Sequence, residues 1–121
     1  MANRHTKSPE EITPDIQKEI AARIATYARS HDENFSIDPF TIMAILNCII
    51  AVVKLLYMCY SQESVFIGMK QGGVIQKFLL KREIRKQFSS KEDRKAVYEA
   101  IVDVSKSLSA TELNDLLDSI K

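Results

Sequence analysis

The residues that chemistry would use first in this chain are two histidines, two cysteines and a few adjacent acids. His31-Asp32-Glu33 is a weak chelating set, and it falls in Ser30–Ser36 (SHDENFS), which reads as a solvated connector. His5 lies in the polar start. No Cys or His pair has metal-site spacing, and HExxH is absent. Gly68, Gly72 and Gly73 come without the Gly-Lys-Ser/Thr of a phosphate loop or the dinucleotide fingerprint. Glu10-Glu11 and Glu92-Asp93 stand at helix starts, where acids complement the dipole. No nucleophile has an identifiable base. The expectation is therefore a protein without catalytic residues, metal or cofactor.

Cys48 and Cys59 are eleven residues apart in one predicted helix. That spacing sets them about 16 Å apart along the axis, and a disulfide needs Cα atoms within about 7 Å. They are expected to be buried free thiols, which suits a reducing intracellular compartment or a virion; pairing between chains stays open.

Lys77, Lys81 and Arg85 recur at i+4, with Arg82 and Lys86 beside them. Such cations can contact nucleic-acid phosphates or anionic lipid heads. Val74, Ile75, Phe78, Leu79, Leu80, Ile84 and Phe88 interleave with them, so no clean basic face is expected and the lysine stems are read as covering apolar neighbours.

The elements that must position these residues are helical. The chain has 121 residues, 45% of them apolar, with a net charge of +1, which suits one domain with its own core and excludes a polyanion binder by overall charge. Only three glycines and three prolines occur, which excludes a turn-rich all-β protein. Residues 1–12 read as a polar lead-in, and 13–121 as a single helical domain. The start MANRHTKSPEEITPD lacks the pattern of a secretory leader, and Met1-Ala2 and Ile120-Lys121 carry no lipidation signal.

Thr13-Pro14-Asp15 predicts a capped helix over about 14–29, its stripe made of Ile16, Ile20, Ile24 and Tyr27. Asp38-Pro39 opens a second helix, ended by Ser61–Ser64, and the glycines at 68, 72 and 73 mark a junction. A third helix covers about 74–88. Ser89 with Glu92, or Ser90 with Asp93, caps a fourth over about 91–107. Ser109 with Glu112 opens a fifth, with Leu113, Leu116, Leu117 and Ile120 on one side. The β-branched run Ile49–Val53 lies inside too long an apolar stretch to be a strand. The expected fold is all-α, a compact bundle of about five helices around one long hydrophobic helix.

That helix, Phe40–Tyr60 (FTIMAILNCIIAVVKLLYMCY), holds 21 residues and one charge, Lys54. It is roughly 32 Å long, enough to cross a bilayer's hydrocarbon core. Ala44, Asn47, Ala51, Lys54 and Met58 form a narrow stripe of small or polar residues, expected to be a helix-packing seam. The apolar residues favour insertion by roughly 3 to 6 kcal/mol and the lysine costs about 3, with Asn47 and the tyrosines adding to the cost, so insertion energy alone does not decide. The apolar faces of the other helices need a partner, which favours a protein core.

The segment Phe35–Cys59 (FSIDPFTIMAILNCIIAVVKLLYMC) resembles a pattern in small uncharacterised proteins of marine tailed phages. The resemblance implies a phage-encoded structural or accessory protein and carries no site residues. The sequence thus predicts a non-catalytic structural or assembly protein whose partners are other protein subunits, its own copies or components of a particle. The alternatives are a single-span membrane protein with a basic cytoplasmic tail and, behind it, a nucleic-acid accessory protein using the basic third helix.

Overall fold

Asp38 and Pro39 set the start of the longest helix. Asp38 is extended, and its Oδ1 accepts the Thr41 N–H at 2.8 Å. Pro39 takes the first turn, where a missing N–H costs nothing. That hydrogen bond holds the Asp38 carboxyl below the usual carboxylate range. The structure is a computed structural model and describes residues 13–121; the polar lead-in expected over 1–12, with His5 and Glu10-Glu11, lies outside the described residues.

Six helices follow among the described residues: α1 Asp15–His31, α2 Pro39–Tyr57, α3 Gln62–Gln71, α4 Val74–Gln87, α5 Lys91–Ser107 and α6 Ala110–Ser119. No strand occurs among the described residues, and Ile49–Val53 is helical. The extra helix is α3. Ser61 caps it by accepting the Ser64 N–H at 3.2 Å, and Gly72 ends it at φ 71°, where a side chain would be strained. The glycine at 68, read from the sequence as part of a junction, lies inside α3. Pro14, and not Thr13, occupies the cap position of α1. At α5 the Ser90 register holds: its hydroxyl accepts the Asp93 N–H at 3.2 Å. At α6 the Ser109–Glu112 box is complete, with bonds of 3.1 and 3.0 Å.

α1 and α4 each pack on both α2 and α5, which closes a ring of four. Phe35, before α2, meets Phe88, after α4, with ring centroids 6.3 Å apart, so both connections lie at one end. Tyr57 donates to the Leu117 carbonyl at 2.9 Å, and Lys70 donates to the carbonyls of Lys106 and Leu108. The end of α2, α3, the end of α5 and α6 therefore share the other end. The four ring helices run up, down, up, down, with α3 and α6 closing the second end. α2 is one stave of this ring, not the hub that the others surround.

The inner face of α2 buries Ile45, Leu46, Cys48, Ile49, Val52, Val53 and Leu56. It meets Ile20, Ala21, Ile24, Ala25 and Ala28 of α1 and Ala96, Val97, Ala100, Ile101 and Val104 of α5 in one continuous core. Each large aliphatic contributes about 1.5–3 kcal/mol, whereas an exposed pair such as Lys18–Asp15 at 3.7 Å gives about 0–1 kcal/mol. Burial therefore sets the fold. Polar ties orient α6: Gln17 Nε2 donates to the carbonyl and hydroxyl of Ser119 at 3.1 and 2.9 Å, and Arg23 reaches Glu112 at 3.0 Å.

Gln76 Nε2 donates to the Val65 carbonyl at 3.2 Å, and its amide lies against Gly68, where a Cβ would stand 2.2 Å from Oε1. Gly68→Ala gains about 1 kcal/mol of helix propensity but displaces that amide and its bond, worth about as much. Gly68→Ala is therefore expected to be neutral or destabilising in the native background and stabilising by about 1 kcal/mol in a Gln76→Ala background. Denaturant unfolding of the four proteins in this cycle measures the coupling.

The Arg23 hydrogen bond, and then the Ser109 N–H, hold the Glu112 carboxyl below its ordinary range. A carboxyl whose pKa falls on folding stabilises the fold above its unfolded pKa, about 4.3, and that stabilisation is lost as pH falls toward the folded value. Stability is expected to fall more steeply between about pH 5 and 3 in the native chain than in Arg23→Met. Urea midpoints across that range measure it, and parallel profiles would refute it.

Candidate functional site

The expected packing stripe of α2 faces away from the ring. Asn47, Lys54 and Met58 are exposed, and Ala44 and Ala51 are half-buried. Phe40, one turn before Ala44, is 88% exposed, and Met58 is 80% exposed. Only 39% of the most apolar stretch of α2 is buried. The expectation of a helix covered nearly all round is corrected here. Two flanking helices cover one side of a stave, and among the described residues no element lies over the other. By length and composition α2 could cross a membrane; the side that carries the core is taken by α1 and α4.

The cations of α4 separate into three environments. Lys77 lines an apolar cavity of about 50 Å³ with Ile49, Val52, Val53, Leu80 and Ile101. Arg82 and Lys86 turn to the largely buried Glu83, at 3.6 and 3.2 Å. Lys81 and Arg85 join Arg94, Lys95 and Tyr98 of α5 along a shared groove. The short turn after α4 sets this register. It places Arg85 opposite Arg94 and Lys81 opposite Tyr98, and the Lys81 ammonium stands 5.0 Å from the Tyr98 ring centroid. Arg94 also donates to the Phe88 carbonyl at 2.7 Å. No carboxylate lines the groove, and none of these four cations forms an ion pair among the described residues.

The interleaving expected for α4 is resolved by phase. Leu80, Glu83 and Ile84 turn inward, while Val74, Phe78, Lys81 and Arg85 follow one outward stripe at spacings of four, three and four. Val74 is 84% and Phe78 68% exposed. Val74 and Ile75 also share a groove with Tyr60 and Leu56 at the end of α2. Sequence reasoning missed Arg94, Lys95 and Tyr98, because the clean apolar arc of α5 drew attention to its inner side. The signal was the three-residue turn at 88–90, which makes α4 and α5 an antiparallel pair and fixes which residues face each other.

No three of His, Cys, Asp and Glu converge as a metal-holding group among the described residues. His31 rests against the Tyr27 ring, with centroids 5.1 Å apart. With this geometry in hand, no protein-family model, no curated protein and no solved structure matches the chain.

The two cysteines differ, contrary to the expectation that both are buried. α2 ends at Tyr57, which leaves Cys59 exposed in the following turn, while Cys48 lies on the buried face. Burial, helped by the charge of Glu83, pushes the Cys48 thiol up to about 12. A thiolate is the reactive form, so Cys48 is protected twice, by access and by protonation. A disulfide-exchange reagent at neutral pH is expected to titrate one thiol in the native chain and two in denaturant. Rapid native labelling of both would contradict the packing of α2.

Proposed function

We propose that this protein is a non-catalytic assembly protein, in which the outward face of α2 packs against the same face of a second copy. The observation that carries this reading is the exposed stripe itself: Phe40, Ala44, Asn47, Ala51, Lys54 and Met58 on the most apolar helix of the fold.

The stripe suits a two-fold, antiparallel pairing. Centred near position 49, such a pairing sets Phe40 beside Met58 of the second copy, Ala44 beside Lys54, and Asn47 beside Ala51. Large apolar groups meet at the ends, and in the middle each alanine faces a longer polar side chain. Small residues let helix backbones approach, and the polar pair fixes register at some cost in stability. A stable interface covers about 800 Å² per partner. A strip about 28 Å long and 10 Å wide supplies part of that, and the flanks of α1 and α4 supply the rest.

Asn47 in mid-stripe favours this occupant over lipid, and Lys54, in the last turn of α2, adds a smaller cost because its stem can reach toward the interface. The reading agrees with what the resemblance to phage proteins implies, a structural or accessory component of a particle.

Size exclusion with light scattering, in buffer without detergent, tests it. The native chain is expected to be a dimer, and Ala51→Glu a folded monomer that still melts cooperatively, at a lower temperature because it lacks the partner's stabilisation. An antiparallel pair holds the two Cys59 residues about 30 Å apart, so oxidation should leave the copies uncrosslinked. A monomeric native chain, a dimeric Ala51→Glu variant, or recovery only from membranes would each overturn the proposal.

A further inference from the structure

We propose that the outward face of α4, together with the start of α5, docks this protein on an anionic lipid surface: Val74, Ile75 and Phe78 enter the headgroup–acyl boundary, and the groove of Lys81, Arg85, Arg94 and Lys95 receives lipid phosphates. The inference does not rest on the α2 pairing; it concerns the outward face of α4, which adjoins α2 in the ring.

Two features meet on this face. The first is apolar surface that the fold leaves in water. Val74 and Phe78 lie on the same outward stripe as Lys81 and Arg85, with Ile75, itself 54% exposed, at its edge. The second is a concentration of charge. The whole chain carries a net +1, yet four cations from two helices line one groove with no acid in its walls among the described residues. Like charges held together without counter-charges cost free energy unless an anion sits between them. The acids lie to one side: Asp32, Glu92 and Glu99 line a separate depression that also touches Lys95. That polarity orients the face, cations toward an anionic surface and acids toward water.

The apolar residues indicate lipid over the other polyanions. Val74 and Ile75 offer no ring on which a base can stack, the face of Tyr98 is taken by the Lys81 ammonium, and Phe78 alone is not the run of stacking platforms that single-stranded nucleic acid uses. Aliphatic and phenyl groups flanked by lysine and arginine are what an interface between headgroups and acyl chains accepts. Arg82 and Lys86 belong less to this surface, because Glu83 compensates them.

The test is co-sedimentation of the full chain with phosphatidylcholine vesicles, with and without phosphatidylserine. Binding to the anionic vesicles and not to the neutral ones is expected, and it should weaken as salt rises. Lys81→Ala and Arg85→Ala should each lower the partition coefficient about fivefold. Phe78→Ser should lower it at every salt concentration, and Lys86→Ala should change it less than Lys81→Ala does. All four positions are exposed, and a thermal melt identifies any variant that has lost the fold; the salt and lipid dependence of the native chain needs no variant. Equal binding to both vesicle types, no binding at low salt, or native-like binding by folded Lys81→Ala and Arg85→Ala would overturn the proposal. Tight binding of a single-stranded oligonucleotide, lost in Lys81→Ala, would assign the groove to nucleic acid instead.

Discussion

One side of α2 has to leave water, and the remaining architecture follows from that requirement. Ile45, Leu46, Ile49, Val52, Val53 and Leu56 give a single helix more apolar surface than a capped, isolated helix could keep in solution. α1 and α4 flank it, and α5 closes the ring opposite. The alanines of α1 and α5 let those two helices approach closely, so the ring stays narrow enough to fill with aliphatic side chains. α6 then covers the open end with Leu113, Leu116 and Leu117.

The same geometry that covers one side of α2 leaves the other bare. In a ring, each helix touches two neighbours and presents a third of its circumference or more outward. For α1 and α5 that outward part is mostly polar or charged. For α2 it is Phe40, Ala44, Ala51 and Met58, interrupted by Asn47 and Lys54. For α4 it is apolar over one half and cationic over the other. The two faces thus suit different partners: shape and small residues on α2, charge and a few aliphatics on α4.

Much of the fold was legible because its signals are local. The Asp38-Pro39 start and the Ser109–Glu112 box are each decided within four residues, the α5 cap was narrowed to Ser89 or Ser90, and α5 was placed at its observed bounds. α3 escaped because Gly68 lies inside it. A glycine that serves a contact with Gln76, eight residues on, looks from the sequence like a break. Phe35 was read as part of a solvated connector yet is buried, because its partner Phe88 is distant in sequence. The stripe on α2 was identified by spacing, but whether it faced in or out depended on how many neighbours the ring supplies. The basic groove was half visible: Lys81 and Arg85 were singled out, and Arg94, Lys95 and Tyr98 became their companions only through the register of α4 against α5.

α3 has a consequence for motion. Val65 is its one fully buried residue, Phe66 and Met69 pack partly on the core, and its other ties are polar: Gln62 to Asp118 at 2.8 Å, Gln76 to the Val65 carbonyl, and Lys70 to the end of α5. Polar contacts near the surface exchange readily with water, so little free energy separates the docked helix from a loosened one. The ring, whose helices share the aliphatic core, has no such freedom. This protein therefore has two tiers of rigidity. A four-helix frame carries both outward faces, and the least buried helix lies against the start of α4, so any loosening of α3 reaches Val74 and Ile75 before it reaches α2.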